Sequence, residues 1–264
     1  MPRGCLDARK AHSVPAQNAL YPATRVDFSD TDVLKIQYYT SAAAVKHLIP
    51  DDFELAEEPL VTACLFHWGY SPFGAYSEMV STVEVTWAGV KYDFALELIL
   101  ENEGALFMGR EQLGVPKVIG RVAFDPSNIP RAPGYQLGHV ERPVGHKIID
   151  FGFKPERKVH GLKPLPPPPD QKAILALRIL PHLHNDQPPV VREYVAIRTI
   201  CTEGELWTGT GSLGFAPLSG FSLLPQAPVR RYGESILLRK SSHYISPDLK
   251  GFALGDRVKT NGQG

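Results

Sequence analysis

The sequence is poor in cysteine, and its cysteines are far apart. Cys5, Cys64 and Cys201 are the only three in 264 residues, and no two of them form a C-x-x-C pair. An odd number of widely spaced cysteines argues against a disulfide framework and against a structural zinc site. The sequence therefore favours a reducing compartment.

The sequence also lacks an excess of charge of either sign and a long apolar run. Its 28 lysines and arginines balance 28 aspartates and glutamates, which argues against an electrostatic binder of nucleic acid or of an anionic membrane. No apolar run approaches the roughly 20 residues needed to span a bilayer, and residues 1–17 contain no apolar segment typical of a signal peptide. We therefore expect a cytoplasmic protein that binds neither nucleic acid nor membrane.

What the sequence has in abundance is glycine and proline, 23 and 24 residues respectively. They divide the chain into short β-rich runs such as DVLKIQYYT, PLVTACLFHWGY and SILLRKSSHYI, and a hairpin is predicted around Ala88-Gly89. The run SAAAVKHLIP predicts a helix of two turns with Ser41 as N-cap. Because longer helical segments between the strands are missing, a parallel α/β fold is disfavoured. The predicted fold is a mostly β, antiparallel barrel or sandwich with a few short helices.

Composition along the chain predicts three segments. Residues 1–24 are polar and without periodicity, so they are interpreted as an N-terminal arm; residues 25–254 form the β domain, and residues 255–264 a flexible C-terminal tail. The proline-rich stretch at 161–170 predicts an extended polyproline II loop on the surface. It does not predict a domain boundary, because strand-like sequence resumes directly after it.

A single lysine stands in the apolar, glycine-flanked stretch GVPKVIG. A lysine amine is nucleophilic only when neutral, and an ordinary pKa of about 10.4 leaves little neutral amine at pH 7. Desolvation or a nearby positive charge would lower that pKa, and the apolar neighbours of Lys117 could supply desolvation. The same stretch is also typical of a solvated loop, so at this point both interpretations stay open.

The segment Gly109-Arg110-Glu111, followed by Pro116-Lys117, resembles the hallmark of the acetoacetate decarboxylase family. Other blocks are similar to that family in the same order, among them IPDDFELAEEPLV, FGAYSEMV, LRILPH, ELWTGTGSL and SSHYI. The resemblance implies a cone-like antiparallel β barrel or double sheet, a homo-oligomer, and a Schiff base between Lys117 and a small keto acid. It places the family's active-site glutamate at Glu78. We expect neither a cofactor nor a metal.

Four positions depart from the family pattern. Val118 stands where acetoacetate decarboxylase has a second lysine beside the nucleophile, and Val115 replaces an aromatic residue. Thr31 aligns with an arginine that can meet a substrate carboxylate, and Cys64 aligns with an acidic residue. These differences affect amine activation and carboxylate recognition. The hypothesis is therefore a Schiff-base decarboxylase acting on a β-keto acid other than acetoacetate. The alternatives are an aldolase-dehydratase or other imine-based lyase on pyruvate-type keto acids, and a non-catalytic ligand-binding scaffold.

Five further side chains are candidates for substrate binding: Tyr76, Arg110, Glu111, Gln112 and Tyr244. Tyr76 precedes Glu78 by two residues, so on a strand both would share a face; a core tyrosine is the alternative. If Arg110 and Glu111 lie on a strand, at most one of them faces a cavity. The histidine pair in HLHND has metal-ligand spacing, but no third ligand is in view, so a metal site is not predicted.

Overall fold

The computed structural model describes residues 1, 3–22, 25–124, 134–164, 172–216, 220–246 and 249–254, without the side chains of residues 8 and 160–164. The predicted proline-rich surface loop at 161–170 is described only in part: residues 161–164 lie in a strand instead, and residues 165–170 lie outside these ranges, as does the predicted C-terminal tail at 255–264.

The described residues are mostly in strands. In chain order the strands are β1 Asp27–Tyr39, β2 Leu60–Tyr70, β3 Tyr76–Trp87, β4 Val90–Leu100, β5 Lys117–Ile119, β6 Arg121–Phe124, β7 Gln136–Glu141, β8 Lys147–Pro164, β9 Ile174–Leu180, β10 Val191–Ile197, β11 Thr199–Phe215, β12 Arg231–Ile245 and β13 Lys250–Ala253. The helices are α1 Ala42–Val45 and α2 Glu103–Met108, with 3-10 turns at Ala8–Lys10, Lys46–Leu48 and Leu224–Gln226 and a π-helical turn at Gly109–Leu113. The prediction of a mostly β fold with short helices is confirmed.

All of these strands belong to one sheet. Its order is β13-β10-β9-β4-β3-β2-β1-β12-β11-β8-β7-β6, and β5 lies beside β4. Within the described ranges the two end strands do not pair with each other, so the sheet is open; of the predicted barrel or double sheet, the barrel form was wrong. Each end strand has four residues and pairs with one neighbouring strand among those that the structure describes. Most pairings are antiparallel, but β4 pairs in parallel with both β5 and β9.

Local sequence explains the hairpin that connects β3 to β4. Ala88 and Gly89 both have positive φ, 49° and 76°, which is the backbone of the tight turns that match the twist of a hairpin. This hairpin was predicted correctly. Helix α1 is shorter than predicted: it continues as a 3-10 turn, and Ser41 makes no side-chain capping hydrogen bond.

The core divides into two main apolar clusters, and β4 contributes to both. Ile99 packs into the larger cluster, whereas its neighbour Leu98 packs into the second, with Phe28, Trp68 and Val115. The cause is strand alternation, which sends successive side chains to opposite faces. The second cluster surrounds the lysine loop. No helix within the described ranges is long and apolar enough to cross a membrane.

Candidate active site

Lys117 and Glu78 form a buried ion pair. The distance from Lys117 Nζ to Glu78 Oε1 is 2.9 Å, and the two side chains are 10% and 4% exposed. An isolated charge at such depth would cost several kcal/mol, so each group offsets the desolvation of the other. The alternative of a solvated loop lysine is therefore excluded.

Three adjacent strands bring the pair together. Glu78 lies on β3 opposite Leu100 of β4, and Lys117, the first residue of β5, lies beside Leu98 of β4. The chain returns from the end of β4 to the start of β5 through α2 and the π-helical turn at Gly109–Leu113. The two residues are 39 positions apart in the sequence, and the register of the sheet places them side by side.

Two glycines allow the lysine to reach its place. A Cβ added at Gly109 would lie 2.6 Å from both Cδ and Cε of Lys117, so the lysine stem packs directly on the glycine backbone. Gly114 has φ +71°, and a Cβ there would lie 2.5 Å from Arg178 Cα. Glycine is the residue that permits both the close approach and the left-handed backbone.

Arg110 and Glu111 tie the same turn to its surroundings. Arg110 donates from a terminal guanidinium nitrogen to the carbonyl oxygen of Lys117 at 2.8 Å. The Glu111 carboxylate accepts from the Tyr21 hydroxyl at 2.6 Å, and its backbone oxygen accepts from Arg178 Nε at 2.7 Å. The expectation that this segment could be a strand was wrong, because it forms a π-helical turn. Side chains of a π turn point in several directions around the turn axis, whereas side chains of a strand alternate between two faces. The short motif did not indicate which of these two conformations the segment would adopt.

Next to the ion pair lies a cavity of about 110 Å³. Its lining is aromatic and aliphatic, with few polar groups: Phe28, Phe66, Trp68, Tyr76, Glu78, Val80, Leu98, Leu113, Val115, Lys117, Ile174, Ile197, Thr199 and Ile245. Tyr76, Glu78 and Val80 line it as alternate residues of β3, so Tyr76 and Glu78 share a face as strand periodicity predicts. Arg110, Glu111, Gln112 and Tyr244 are not among the lining residues.

The two oxygens of the Glu78 carboxylate have different neighbours. Trp68 Nε1 donates to Oε2 at 3.2 Å. Oε1 accepts no hydrogen bond from the described part of the chain, because the Lys117 amine lies within ion-pair distance but not in hydrogen-bond geometry. One carboxylate oxygen is thus fixed while the other faces the amine and the cavity. Such an oxygen can accept a proton from the amine and return it.

The two predicted tyrosines differ in their surroundings. Burial and the nearby Glu78 raise the pKa of Tyr76 well above its ordinary value, so its hydroxyl stays protonated beside the cavity. Tyr244 lies under the Arg25 guanidinium, 4.1 Å from the ring centroid, and it is the next residue, Ile245, that lines the cavity. Gln112 is exposed.

Sequence reasoning missed the aromatic wall of the site. The Phe66 and Trp68 rings stack at 4.7 Å with 10° between their planes, and Phe28 packs on Trp68 at 4.1 Å. The available signal was the alternation of Phe66 and Trp68 in β2. Its meaning depends on the register that places Phe66 opposite Glu78, and register cannot be deduced from one strand alone.

His243 lies behind this wall and contacts the edge of Trp68, with ring centroids 5.8 Å apart. Its Nε2 is 2.8 Å from the Ser241 hydroxyl. Burial lowers the pKa of His243 to about 4, so the imidazole is neutral at pH 7. A neutral ring therefore adds no charge beside Trp68.

The positions that depart from the family pattern lie in different places. Val115 lines the cavity, whereas Thr31 and Cys64 are buried outside the lining. Val118 contributes to a separate pocket, with Glu97 and Arg142, on the other side of β4 and β5. Within the described ranges, no group of three or more His, Cys, Asp or Glu residues could hold a metal ion.

An open, mostly antiparallel sheet with a buried lysine–glutamate pair beside an apolar cavity defines a class: the acetoacetate decarboxylase-like proteins. Comparison with known proteins supports this class. The family described as Acetoacetate decarboxylase (ADC) matches residues 11–242. Decarboxylase DEC1 of Cochliobolus heterostrophus is 39% identical over 205 residues, which cover 78% of this chain and 79% of the relative. The acetoacetate decarboxylase of Chromobacterium violaceum is 24% identical over 239 residues, 85% of this chain and 90% of the relative.

Solved structures show the same fold. A structure described as "Structural Studies of Acetoacetate Decarboxylase" superposes with a TM-score of 0.77 at 20% identity, covering 93% of this chain and 96% of the other. The enduracididine biosynthesis enzyme MppR, complexed with the condensation product of pyruvate and imidazole 4-carboxaldehyde, superposes with a TM-score of 0.71 at 16% identity, covering 92% and 96%. The chain belongs to the acetoacetate decarboxylase family. As a member of it, the protein is an enzyme of the carbon–carbon lyase class.

Proposed function

We propose that the protein decarboxylates a β-keto acid through a Schiff base on Lys117. The observation that carries this proposal is the buried pair of Lys117 and Glu78, 2.9 Å apart, at the wall of an apolar cavity. A nucleophilic amine needs a group that takes its proton and a site that excludes water. The pair and the cavity supply both.

The first half of the reaction forms the imine. Glu78 accepts a proton from the Lys117 ammonium, and the neutral amine adds to the ketone carbon of the substrate while the electron pair of the C=O bond moves to oxygen. A proton then moves from the nitrogen to that oxygen, which gives a carbinolamine. The resulting carbinolamine oxygen leaves as water after it receives a proton from Glu78, and the nitrogen lone pair completes the C=N bond of the iminium. Trp68 holds the second oxygen of Glu78 at 3.2 Å, so the carboxylate keeps one orientation through these transfers.

The second half breaks the carbon–carbon bond. The electron pair of the bond to the carboxylate moves into a new C=C bond, the iminium nitrogen takes back its lone pair, and CO2 leaves. Protonation of the enamine carbon followed by hydrolysis returns a ketone and the free lysine. An iminium and a carboxylate thus become a neutral enamine and neutral CO2. A water-poor, apolar cavity favours such a loss of charge, because it solvates the charged pair poorly.

Arg110, Glu111 and Tyr21 act in this proposal as positioning residues. Their hydrogen bonds hold the backbone of Lys117 and the turn that packs on the lysine stem. Besides Lys117, Glu78 and Thr199, the lining contains the polar side chain of Tyr76, which can contact a substrate oxygen.

A second candidate function uses the same imine differently. The fold likeness to MppR, whose complex contains a pyruvate condensation product, favours an aldolase-dehydratase or related lyase on a pyruvate-type keto acid as the alternative. Both reactions begin with the same covalent bond at Lys117, and they differ in whether the next bond is broken or formed.

Borohydride trapping tests the proposal. The protein is incubated with a panel of β-keto and α-keto acids, reduced, digested, and analysed by mass spectrometry. The expected result is a ligand-derived mass on the peptide that contains Lys117, with CO2 release from the β-keto acids. Trapping accompanied by bond formation to an added aldehyde, without CO2, would support the second candidate. A complete absence of trapping across the panel would contradict both.

We also propose that the enzyme is a cytoplasmic homo-oligomer. The family resemblance supports assembly, and large apolar side chains such as Leu183 (88% exposed) and Val190 (69% exposed) remain on the surface of the single chain. Light scattering after size-exclusion chromatography tests the assembly, and a mass equal to one chain would contradict it.

A further inference from the structure

Three polar residues are buried together behind the aromatic wall, outside the cavity lining. Thr31 and Ser241 are 0% exposed, and His243 is 7% exposed. Ser241 Oγ donates to the Thr31 carbonyl oxygen at 2.8 Å and lies 2.8 Å from His243 Nε2. Because burial lowers the pKa of His243 to about 4, its ring is neutral and carries one N–H. A hydroxyl has one hydrogen to donate, so both contacts are hydrogen bonds only when that N–H is on Nε2. Ser241 thus fixes the orientation of the ring.

The backbone around these residues is irregular in three adjacent strands, β1, β12 and β11. The pairing of β1 with β12 shifts on both sides of the pair Thr31 and Ser241, and the pairing of β11 with β12 shifts twice beside it. Asp30 and Lys240, which directly precede that pair, both have φ 49°, an unusual backbone for residues with a side chain. Bulges re-aim side chains and are frequent next to active sites, and strain of this kind points to a function for the groups it places.

Three rings enclose the Trp68 indole. Phe28 and Phe66 pack on it with centroids 4.1 and 4.7 Å away. His243 meets it nearly perpendicular, at 87° with centroids 5.8 Å apart, and lies opposite Phe28 in the register of β1 and β12. The indole Nε1 donates to Glu78 Oε2 at 3.2 Å. A rotation of the indole would therefore move this N–H away from the carboxylate.

We propose that His243 is a positioning residue for the reaction: held by Ser241, it fixes the Trp68 indole, whose N–H holds Glu78 toward Lys117. This inference rests on the proposed function and adds to it a residue outside the cavity. A histidine that only filled space in the core could be replaced by an apolar side chain of similar size. A positioning histidine cannot, because its hydrogen bond to Ser241 sets where the ring meets the indole.

The indole N–H of Trp68 reports this role directly. The sequence contains three tryptophans, so a ¹⁵N spectrum has two internal references, Trp87 and Trp207, and Trp68→Phe assigns the third resonance. His243→Leu removes the ring and the hydrogen bond, whereas His243→Gln keeps an N–H that can reach the serine. We expect His243→Leu to shift the Trp68 resonance and to accelerate its hydrogen exchange by at least about tenfold. His243→Gln should restore most of the wild-type behaviour.

Steady-state kinetics with the β-keto acids of the trapping panel measure the consequence. In His243→Leu, kcat for CO2 release should fall by at least about tenfold while KM changes by no more than about twofold, because a displaced proton acceptor slows the chemistry and the cavity lining is unchanged. His67→Leu is the matched control. His67 precedes Trp68 on β2, lies 3.2 Å through Nδ1 from the Ser77 hydroxyl, and faces the other side of the strand. Its loss should leave kcat and the Trp68 resonance near their wild-type values.

A second variant decides the matter if His243→Leu does not fold. Ser241→Ala keeps the His243 ring and removes its anchor, so it should change the Trp68 resonance and kcat in the same direction by a smaller amount. Circular dichroism shows which variants are folded. An unchanged Trp68 resonance in the folded variants would overturn the inference. A loss of rate without a change at Trp68 would also overturn it, because the effect would not pass through the indole.

Borohydride trapping separates this inference from the proposed function. If the wild-type protein and the His243 and Ser241 variants are all trapped at Lys117 at the same rate, the role of His243 is wrong and the Schiff-base mechanism stands. If the wild-type protein is trapped by no keto acid, the proposed function fails, and the role of His243 in the reaction fails with it.

Discussion

Two buried carboxylates lie on opposite faces of the same part of the sheet, and they are held very differently. Glu97, on β4, is surrounded by donors: Ser222 Oγ at 2.6 Å and Leu223 N at 3.1 Å on one oxygen, and Arg142 at 3.3 Å on the other. Glu78, on β3, accepts one hydrogen bond from the described part of the chain, from Trp68, and its other oxygen lies 2.9 Å from the Lys117 amine. Both side chains are 4% exposed.

We propose that this difference separates a structural carboxylate, Glu97, from a reactive one, Glu78. Arg142 also donates to the carbonyl of Phe221, so the Glu97 cluster fastens the segment at 221–223 to β4. Burial raises the pKa of Glu97 above its ordinary value, and its hydrogen bonds act in the opposite direction. One oxygen of Glu78 faces the Lys117 amine beside a cavity. Equal burial of two carboxylates thus says little about their functions. A buried carboxylate that has few hydrogen bonds and lies next to a cavity is the better candidate for a reactive group.

The largest expected effect comes from Lys117→Arg. A guanidinium keeps the positive charge beside Glu78 but stays protonated and cannot form an imine. We expect trapping to disappear and CO2 release to fall by at least about a thousandfold, as when a covalent nucleophile is removed. Circular dichroism should show that the fold is retained. Residual turnover at near wild-type rate would contradict the role of Lys117.

The paired variants Glu78→Gln and Glu97→Gln test the comparison directly. Glu78→Gln removes the proton acceptor, so the rate should fall by about 10²- to 10⁴-fold. Glu97→Gln weakens hydrogen bonds to a charged group, so the free energy of unfolding should fall by about 1–3 kcal/mol with little change in rate. Chemical denaturation and steady-state kinetics measure the two effects. If the two variants lose activity equally, the two carboxylates do not differ as proposed.

Gly109→Ala should have the next largest effect on the rate at which Lys117 is trapped. Its new Cβ would meet Cδ and Cε of Lys117 at 2.6 Å, so the lysine must move. A displacement of about 1 Å can cost about a hundredfold in rate. Gly214→Ala is the matched control, because its Cβ would make an ordinary contact at 3.6 Å with Asp150. Trapping rates for the two variants should differ strongly, and similar rates would argue that the lysine stem is not held by Gly109.

The smallest effect is expected from Val118→Lys, which restores the second lysine of acetoacetate decarboxylase. Val118 lies in the pocket that contains Glu97 and Arg142, and Lys117 lines the opposite cavity. Because adjacent strand residues point to opposite faces, the new ammonium would lie beside Glu97 and Arg142. The trapping rate should therefore change by no more than about twofold. Val118→Met is the neutral control. A large increase in the trapping rate of Val118→Lys, but not of Val118→Met, would show that a charge on the Glu97 side of the sheet affects the reactivity of Lys117.

Much of the fold could be predicted from the sequence, because its local patterns are strong. Alternating β-rich runs, the Ala88-Gly89 turn and the absence of long helices predict a mostly β chain with short connections. Closure could not be predicted in the same way. The edges of a sheet depend on which distant strands pair, and the parallel pairing of β4 with β5 and β9 has no signature within any one strand.

Sequence comparison predicted the two residues that form the buried ion pair, but not the surroundings of the candidate site. Resemblance to a family identified Lys117 and Glu78. Arg110, Glu111, Gln112 and Tyr244 were candidates for substrate contact, but none of them lines the cavity. Phe28, Phe66 and Trp68 went unnoticed, since an aromatic residue in a strand has the same local pattern whether it packs in the core or lines a cavity.

By itself, then, the sequence determined the type of secondary structure and the chemistry available to the chain, because both follow from residue types and their spacing over a few positions. Only the tertiary structure decided which face each side chain occupies and which charges meet. Strand register and the turn at Gly109–Leu113 place Lys117 beside Glu78, and they direct Val118 away from it. These placements depend on hydrogen bonds between segments far apart in the chain, and no local pattern encodes them.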